Sequence, residues 1–301
     1  MTIDNRQSTI ENTLVLGTRG SDLALAQTRL VHAALRQAHP DWSIEQRIIH
    51  TQGDRRLDLS LREAGALDKG LFTRELEEAL LRGEIQAAIH SLKDLPTELP
   101  PGLRIAAVLP REDVREVLVS NAPGGLAGLP DGARVGTSSP RREAQLRAVR
   151  PDVKPVAIRG NVPTRLRKLA AGTDFDAILL AAAGLRRLGL LGNFPGLHFE
   201  ILADFLPAPG QGAVAVETTA ENAARFAGIH HADTWTGVSA ERELLRLLGG
   251  GCHLALGARA EIRDGEILLR AILFGKGGAR TAQGQAADPL QAAQLVVAQL
   301  A

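Results

Sequence analysis

Three short segments of the sequence place arginines where a predicted strand gives way to a predicted helix. They read GTRGS at 17–21, GTSSPRR at 136–142 and IRGNVPTRLR at 158–167. A helix N-terminus attracts anions, because its first backbone N–H groups are free and the helix dipole is positive there. An arginine fork binds a carboxylate or a phosphate through two parallel hydrogen bonds. Together the three segments predict a site for a ligand with several negative charges.

The local pattern in the second and third segments predicts where each helix begins. Ser139 is expected to cap a helix whose first residue is Pro140. Pro163 is expected to open the helix of the third segment. The arginines in or beside these two helices are Arg141, Arg142, Arg159, Arg165 and Arg167. Basic residues in a first turn oppose the helix dipole, so local helix stability does not explain them.

Other interpretations of these segments stay open on the residues alone. Arginines on a helix surface often only face water. A nucleotide is not favoured, since G-x-x-x-x-G-K-[ST] is absent and no G-x-G-x-x-G follows a predicted strand. The net charge of +1 does not indicate a general attraction to nucleic acid. An anion-binding protein of two lobes, without catalysis, is one alternative.

Asp94 is the candidate acidic residue. It lies in HSLKDLP at 90–96, where a predicted buried strand ends. An Asx-type turn before Pro96 would explain it without chemistry. A carboxylate that faces an arginine-lined cleft would instead stabilise a positive charge formed during a reaction. No metal site is predicted, because His230 and His231 lack a ligand spacing and His90 fits a buried core position.

Cys252 is the single cysteine, in GGGCHLALG at 249–257. A lone cysteine excludes an internal disulfide and is usually a small buried apolar residue. A cysteine-nucleophile hydrolase or transferase would need a histidine base beside the thiol. His253 is a poor candidate, because neighbouring residues in a strand point to opposite faces.

Strands that alternate with helices predict a mostly parallel sheet, and the pattern restarts after LPREDVRE at 109–116. We expect a first domain from 1–109 and 204–226, a second from 110–203 and a third from 227–301. The segment 203–217 is expected to return the chain to the first half. In the third domain we expect a helix capped by Ser239, a hairpin at Arg-Asp-Gly and a last helix capped by Asp288.

The composition is that of a soluble globular protein, with 301 residues of which 45% are hydrophobic and 23% charged. The polar N-terminus has no apolar signal core, and the apolar stretch AILLAAAGL at 177–185 is too short to span a membrane. The sequence therefore predicts a cytoplasmic protein.

Several stretches, taken in order from about residue 14 to 257, resemble the porphobilinogen deaminase family, also called hydroxymethylbilane synthases. They are GTRGSDLALAQ, TQGD, KGLFTRELEEAL, AIHSLKDLPTELP, VGTSSPRREAQLRAVRP, IRGNVPTRLRKL, AAAGLRRLG, LPAPGQGAVAVE and GGCHLALGA. Two departures are visible. LREAGALDKG lacks the lysine that family members often have just upstream of the position of Lys69, and Pro140 stands where leucine is frequent.

The resemblance implies an α/β protein of three domains. Two are lobes like those of periplasmic binding proteins, and the third is a small α+β domain with a three-stranded antiparallel sheet. Such enzymes join four porphobilinogen molecules head to tail, with loss of ammonia, onto a dipyrromethane cofactor, and release the linear tetrapyrrole by hydrolysis. The resemblance also implies a monomer with porphobilinogen as substrate, and no nucleic-acid or membrane partner.

The motif positions imply a role for individual residues. Asp94 matches the catalytic aspartate, and Cys252 matches the cysteine that holds the cofactor as a thioether. Those implied to bind the cofactor are Cys252, Lys93, Asp94, Ser139, Arg141, Arg142 and Gly160. Those implied to bind substrate are Arg19, Ser21, Phe72, Arg159, Arg165, Arg187 and Gln211. Since each porphobilinogen has an acetate and a propionate, the longest bound chain presents about a dozen carboxylates for these arginines.

Overall fold

The computed structural model describes residues 13–55, 72–250 and 254–300, and these residues form three sheets with helices packed against them. The first part of the chain contains β1 (Thr13–Thr18), α1 (Asp22–Ala38), β2 (Ser43–Ile48), α2 (Gln52–Arg55), α3 (Arg74–Leu81), β3 (Ala87–Ser91), a 3-10 turn (Leu92–Asp94) and β4 (Leu103–Val108).

The middle part of the chain contains β5 (Glu116–Ser120), β6 (Arg134–Gly136), α4 (Pro140–Val149), β7 (Lys154–Val156), α5 (Val162–Ala170), β8 (Ala177–Ala181), α6 (Ala182–Arg187) and β9 (His198–Leu202). The last part contains β10 (Val214–Thr219), a 3-10 helix (Ala223–Ile229), α7 (Ala232–Leu247), β11 (Leu256–Arg263), β12 (Glu266–Gly275), β13 (Gly278–Ala286) and α8 (Pro289–Leu300).

Two of the sheets are built to the same plan. The first has the order β2-β1-β3-β10-β4 and the second β7-β6-β8-β5-β9. In each sheet three parallel strands are followed by one antiparallel strand, β10 or β5, that arrives from the other lobe. The predicted return of the chain to the first lobe is therefore confirmed, with β10 between β3 and β4. The domain boundaries themselves stay a prediction.

The central strands are apolar because helices cover both faces of each sheet. β3 (AAIHS) and β8 (AILLA) are buried along almost their whole length. β2, at the edge of its sheet, has a polar and mostly exposed sequence, SIEQRI. In the first lobe Leu14 and Leu16 of β1 share a core with Val31 and Leu35 of α1, and all four are fully buried. Each such burial contributes about 1.5–3 kcal/mol.

The third sheet is antiparallel, with the order β11-β12-β13, and α7 and α8 pack on it. The predicted hairpin is confirmed: Asp264 and Gly265 turn between paired Arg263 and Glu266, with φ of 52° and 81°. The predicted cap of the last helix is also confirmed, because the Gln291 N–H donates to the Asp288 carboxylate at 3.0 Å. The predicted class of two α/β lobes with a small α+β domain is thus confirmed.

The predicted N-cap at Ser239 is wrong. α7 begins at Ala232, and the side chain of His231 caps it by accepting the Thr234 N–H at 3.1 Å. Ser239 lies inside the helix, because the buried face continues upstream through Gly237 and Val238. α5 begins at Val162, one residue before Pro163, and Asn161 caps it. Among the described residues, no helix is both long and apolar enough to cross a membrane.

Candidate active site

The loops singled out in the sequence lie at the carboxyl edges of the two five-stranded sheets. β1 and β3 are parallel, with Gly17 opposite Ala88, so Arg19 and Asp94 follow strands that end at one edge. In the second lobe β6 is parallel to both β7 and β8, so the segments after Gly136 and after Val156 share an edge as well. Ligands in open α/β sheets bind at such edges.

Asp94 ends a short 3-10 turn that continues β3. The turn is anchored by buried Leu92, whose N–H donates to the Ala213 carbonyl at 3.0 Å, and by the Leu95 N–H, which donates to the Leu92 carbonyl at 3.1 Å. The side chain of Asp94 is exposed, whereas Lys93 beside it is half-buried. The backbone therefore holds a free carboxylate at the edge of the first lobe.

Lys93 points its ammonium group toward the second lobe and the segment that returns from it. It donates to the Gln211 side-chain oxygen at 3.2 Å. Burial lowers the pKa of Lys93 to about 8, Asp94 and Glu116 oppose this shift, and Arg142 and Arg141 add to it. Since Arg141 and Arg142 belong to the second lobe, these effects indicate that the edges of the two lobes face each other.

Arg141 and Arg142 lie in the first turn of α4, and the Ser139 hydroxyl caps this helix by accepting the Arg142 N–H at 3.4 Å. This cap was predicted and is confirmed. Both arginines are nearly buried, with exposed fractions of 4% and 7%. Arg141 and Arg142 each donate to the carboxylate of Glu116 at 2.8 Å. Their forks thus have a carboxylate partner within the protein.

Glu116, the first residue of β5, is the acidic partner of these arginines that the sequence analysis missed. It is fully buried, and burial raises the pKa of its carboxyl group, but Arg142, Arg141 and Lys93 outweigh this and hold the pKa at about 2. The sequence does contain a signal for this residue, because a single acidic residue precedes the apolar residues VLV in EVLVS, just after the chain crosses between the lobes. A charge in such a position needs partners.

Gln211 joins this carboxylate to the first lobe. The side chain is fully buried in the segment that returns from the second lobe. Its amide group donates to the Val114 carbonyl at 2.7 Å and to Glu116 at 2.9 Å, while its oxygen accepts from Lys93. The structure therefore brings together five side chains in one network: Lys93, Glu116, Arg141, Arg142 and Gln211.

Arg165 and Arg159 flank the start of α5 near the same network. The Arg165 Nε donates to the Gly160 carbonyl at 2.8 Å, and Gly160 has the left-handed φ of 110°. The pKa of Arg165 is lowered to about 10, chiefly by burial and also by the charges of Arg142 and Arg159, while Asp94 opposes the shift. Asp94 of the first lobe therefore lies within electrostatic reach of guanidinium groups of the second.

Arg19, Ser21 and Phe72 come together at the edge of the first lobe. The Ser21 hydroxyl caps α1 by accepting the Ala24 N–H at 3.3 Å. The Arg19 guanidinium lies over the Phe72 ring, 4.4 Å from its centre. Such a stack favours a flat, preoriented guanidinium.

Arg187 lies at the end of α6 and contacts the return segment. It donates to the Gly212 carbonyl at 2.6 Å, beside Gln211. Burial lowers the pKa of Arg187, and its Nε atom is buried without a hydrogen-bond partner in the structure. An arginine in this state suits a bound anion.

Cys252 and Lys69 lie outside the described residues, so the structure does not place the predicted anchor. Among the residues that are described, no three His, Cys, Asp or Glu side chains form a metal-binding group. A cavity of about 420 Å³ lies away from Asp94, between residues 203–207 and the sheet of the third domain. The candidate site is at the charged edges and not at this cavity, because the edges hold Lys93 and Glu116, whose pKa values burial and neighbouring charges shift to about 8 and about 2.

Two family models cover nearly the whole chain. "Porphobilinogen deaminase, dipyromethane cofactor binding domain" matches residues 14–226, and "Porphobilinogen deaminase, C-terminal domain" matches residues 235–301. The chain belongs to the porphobilinogen deaminase family. It is a transferase of tetrapyrrole synthesis, and its reaction is the hydroxymethylbilane synthase reaction on a dipyrromethane cofactor.

Relatives within the porphobilinogen deaminase family are similar over most of their length. The porphobilinogen deaminase of Syntrophomonas wolfei is 48% identical over 269 residues, which cover 86% of this chain and 84% of the relative. That of Syntrophobacter fumaroxidans is 44% identical over 284 residues, with 93% and 90% covered. Among solved structures, the periplasmic VFT2 domain of BvgS from Bordetella pertussis matches with a TM-score of 0.43 and 17% identity, over 74% of this chain and 88% of that domain.

Proposed function

We propose that the facing edges of the two lobes form the active site for porphobilinogen condensation, with Asp94 as the catalytic residue. The observation that carries this proposal is the setting of Asp94. It is an exposed carboxylate, and its charge opposes the lowered pKa of both Lys93 on its own lobe and Arg165 on the other. The acidic group thus lies among cationic side chains that suit a substrate with two carboxylates.

The side chains present fit the acetate and propionate groups that the dipyrromethane cofactor shares with the substrate. Arg187 has a buried Nε without a partner, and Arg165 gives its Nε only to a backbone carbonyl. Each can take up a carboxylate. When bound, the cofactor supplies the pyrrole carbon to which the first porphobilinogen is joined. We propose that Cys252 holds it through a thioether and that Ser139 and Gly160 line its site.

We assign different tasks to two groups of arginines. Arg19, Arg159, Arg165 and Arg187, together with Ser21, are proposed to bind substrate carboxylates directly. Arg141 and Arg142 already donate to Glu116 and to the carbonyls of Leu206 and Leu179. Their proposed contribution to ligand binding is therefore the positive potential of two nearly buried guanidinium groups and the donors that remain to them.

Asp94 is proposed to act on the reacting pyrrole. Its carboxylate accepts a hydrogen bond from the pyrrole N–H and stabilises the positive charge that develops as ammonia leaves porphobilinogen. One face of Phe72 is covered by Arg19, so the other face is proposed to contact a pyrrole ring. Lys93, held by Gln211, is proposed to keep a positive charge beside the cofactor carboxylates.

Mass spectrometry of the intact protein, combined with turnover of porphobilinogen, tests these roles. The wild-type chain is expected to carry an adduct of dipyrromethane mass, and Cys252→Ala is expected to lose it. Asp94→Asn is expected to keep the adduct while turnover falls by at least about 100-fold. Asp131, like Asp94, is an exposed aspartate, but it lies in the second lobe. Asp131→Asn therefore serves as the matched control and should turn over normally. Normal turnover in Asp94→Asn would remove Asp94 from the mechanism.

We further propose that the enzyme is a cytoplasmic monomer, without nucleic-acid or membrane partners, and that its domains follow the predicted boundaries. In the part of the chain that the structure describes, the backbone passes between the two lobes near 109–115 and 203–213, which suits a cleft that widens as the product grows. Light scattering on the eluting protein measures its mass. A mass of 32.0 kDa supports the monomer, and twice that mass would contradict it.

A further inference from the structure

Glu116 lies where both connections between the lobes meet. It is the first residue of β5, the strand that enters the second lobe. Gln211 belongs to the segment that leaves that lobe, and its side chain donates to Glu116 at 2.9 Å and to Val114 at 2.7 Å. A single fully buried carboxylate therefore touches both crossing segments of the chain.

We propose that Glu116 is a positioning residue of this active site: its carboxylate orients the guanidinium groups of Arg141 and Arg142 and, through Gln211, the ammonium group of Lys93 beside Asp94. The proposal rests on the active site proposed above. It adds a residue that does not touch substrate, and it explains why the arginines of GTSSPRR take one fixed orientation.

The hydrogen-bonding capacity of Glu116 is fully used by these partners. One carboxylate oxygen accepts from Arg141 at 2.8 Å and from Gln211 at 2.9 Å. The other accepts from the Arg142 Nε at 2.8 Å and forms an ion pair with the Arg142 Nη2 at 2.7 Å. Because all four contacts are buried, they define the direction of each fork more narrowly than an exposed ion pair would. These contacts therefore also fix the directions of the N–H groups of Arg141 and Arg142 that do not bind Glu116.

Glu116 also sets the charge of the network. Three cations, Lys93, Arg141 and Arg142, surround it, and the exposed Asp94 is a second carboxylate that raises the pKa of Lys93. The Glu116 charge helps Lys93 to keep its proton, whose pKa is about 8. Without that charge, burial and the two arginines act against Asp94 alone, so the pKa of Lys93 falls further. A purely structural carboxylate elsewhere would have no such effect.

The test compares Glu116→Gln and Glu116→Asp with the control Asp113→Asn, all as cofactor-loaded enzymes whose loading is verified by intact mass. Asp113 is matched to Glu116: it lies in the same crossing region, pairs with an arginine, Arg115, and also has a pKa of about 2. The ion pairs of its carboxylate are with Arg115 and Arg186, whereas the charged groups that act on Lys93 are Asp94, Glu116, Arg141 and Arg142. The pKa of Lys93 is measured as the pH dependence of its labelling by trinitrobenzenesulfonate, quantified on the Lys93 peptide.

In Glu116→Gln we expect the midpoint of Lys93 labelling to move to lower pH, and kcat to fall by about 10- to 100-fold with a smaller change in KM. In Glu116→Asp, which keeps the charge but is shorter by one methylene, we expect the wild-type midpoint with a reduced kcat. Asp113→Asn should match the wild type in both the Lys93 labelling midpoint and kcat. This pattern separates the effect of the Glu116 charge on the pKa of Lys93 from the effect of the Glu116 side-chain length on kcat.

An unchanged labelling midpoint in Glu116→Gln, or a loss of kcat no larger than in Asp113→Asn, would overturn the proposal. If Glu116→Gln fails to fold, Glu116→Asp decides, and a wild-type kcat there refutes the positioning role. Asp94→Asn is assayed in parallel. Normal turnover in that variant rejects the proposed active site. If Asp94→Asn is inactive but the Lys93 labelling midpoint is unchanged in Glu116→Gln, only the role of Glu116 is rejected.

Discussion

Glu241→Gln is expected to loosen the attachment of the third domain. Glu241 lies on α7, is fully buried and accepts four hydrogen bonds. Two come from the fork of Arg111 in the crossing segment, both at 2.8 Å. The others come from the backbone N–H groups of Gly210 and Ala260, at 2.7 and 2.8 Å. One carboxylate thus joins both crossing segments to the third sheet.

The size of the effect follows from what glutamine cannot do. Each carboxylate oxygen accepts from two donors, so two of the four donors face the –NH2 group of the new amide, and the charge of Arg111 is left without its counter-ion. Removing one partner of a buried ion pair costs about 3–5 kcal/mol. With an unfolding entropy of about 2.1 cal/mol/K per residue, each kcal/mol corresponds to about 1.6 °C in Tm for 301 residues, so we expect a fall of at least ~5 °C.

Differential scanning calorimetry measures this change, with Glu243→Gln as the control. Glu243 lies on the same helix and pairs with Arg246 at 2.8 Å, but the pair is largely exposed. Its removal should cost less than about 1 kcal/mol. A fall in Tm after Glu241→Gln that is no larger than after Glu243→Gln would refute the reasoning that burial makes this ion pair indispensable.

Three further outcomes are expected. Arg165→Leu should raise KM for porphobilinogen by about 10-fold or more, since a charge-assisted contact is worth about 1.5–3 kcal/mol, and steady-state kinetics at fixed cofactor loading would detect it. The ammonium form of Lys93 is present below its pKa of about 8 and is lost as the pH rises through that value. KM should therefore rise above about pH 8, and Lys93→Arg should move this rise to higher pH; an unchanged profile argues against a role for that charge. Gly160→Ala should lower stability by about 1–3 kcal/mol, because φ is 110° there and a Cβ would lie 2.7 Å from Thr164. Gly172→Ala is the control, because Gly172 is also at positive φ but has open space around it. If Gly160→Ala and Gly172→Ala lower Tm equally, the contact with Thr164 adds no strain.

Features that depend on neighbouring residues could be predicted from the sequence. The cap at Ser139, the cap at Asp288 and the hairpin at Asp264 and Gly265 each use contacts within four residues. Their geometry follows from local hydrogen bonds and from the residues that tolerate a left-handed backbone. The cap predicted at Ser239 failed for a tertiary reason, since Trp235 and Val238, in the two turns that precede Ser239, pack against a core of the first lobe and extend α7 toward its N-terminus.

In the candidate site, too, the local sequence patterns could be predicted, whereas contacts between distant residues could not. The arginine-rich loops and HSLKDLP were visible because each is a contiguous pattern, and the alternation of strands and helices placed them at sheet edges. The partner of Arg141 and Arg142 was not visible, because Glu116 lies 25 and 26 residues away and is joined to Gln211 from 95 residues further along. In the sequence these arginines suggest a site for an external anion.

The sequence by itself determined the reaction family, the alternation of strands and helices in the two lobes and the residue types of the candidate site. Only the tertiary structure decided how the charges are balanced: which guanidinium groups bind a carboxylate of the protein, and which stay available for ligands. It also decided that Lys93 holds its proton less firmly than an exposed lysine. The reason is physical, because the desolvation and pairing of a charge depend on burial and on neighbours that are distant along the chain.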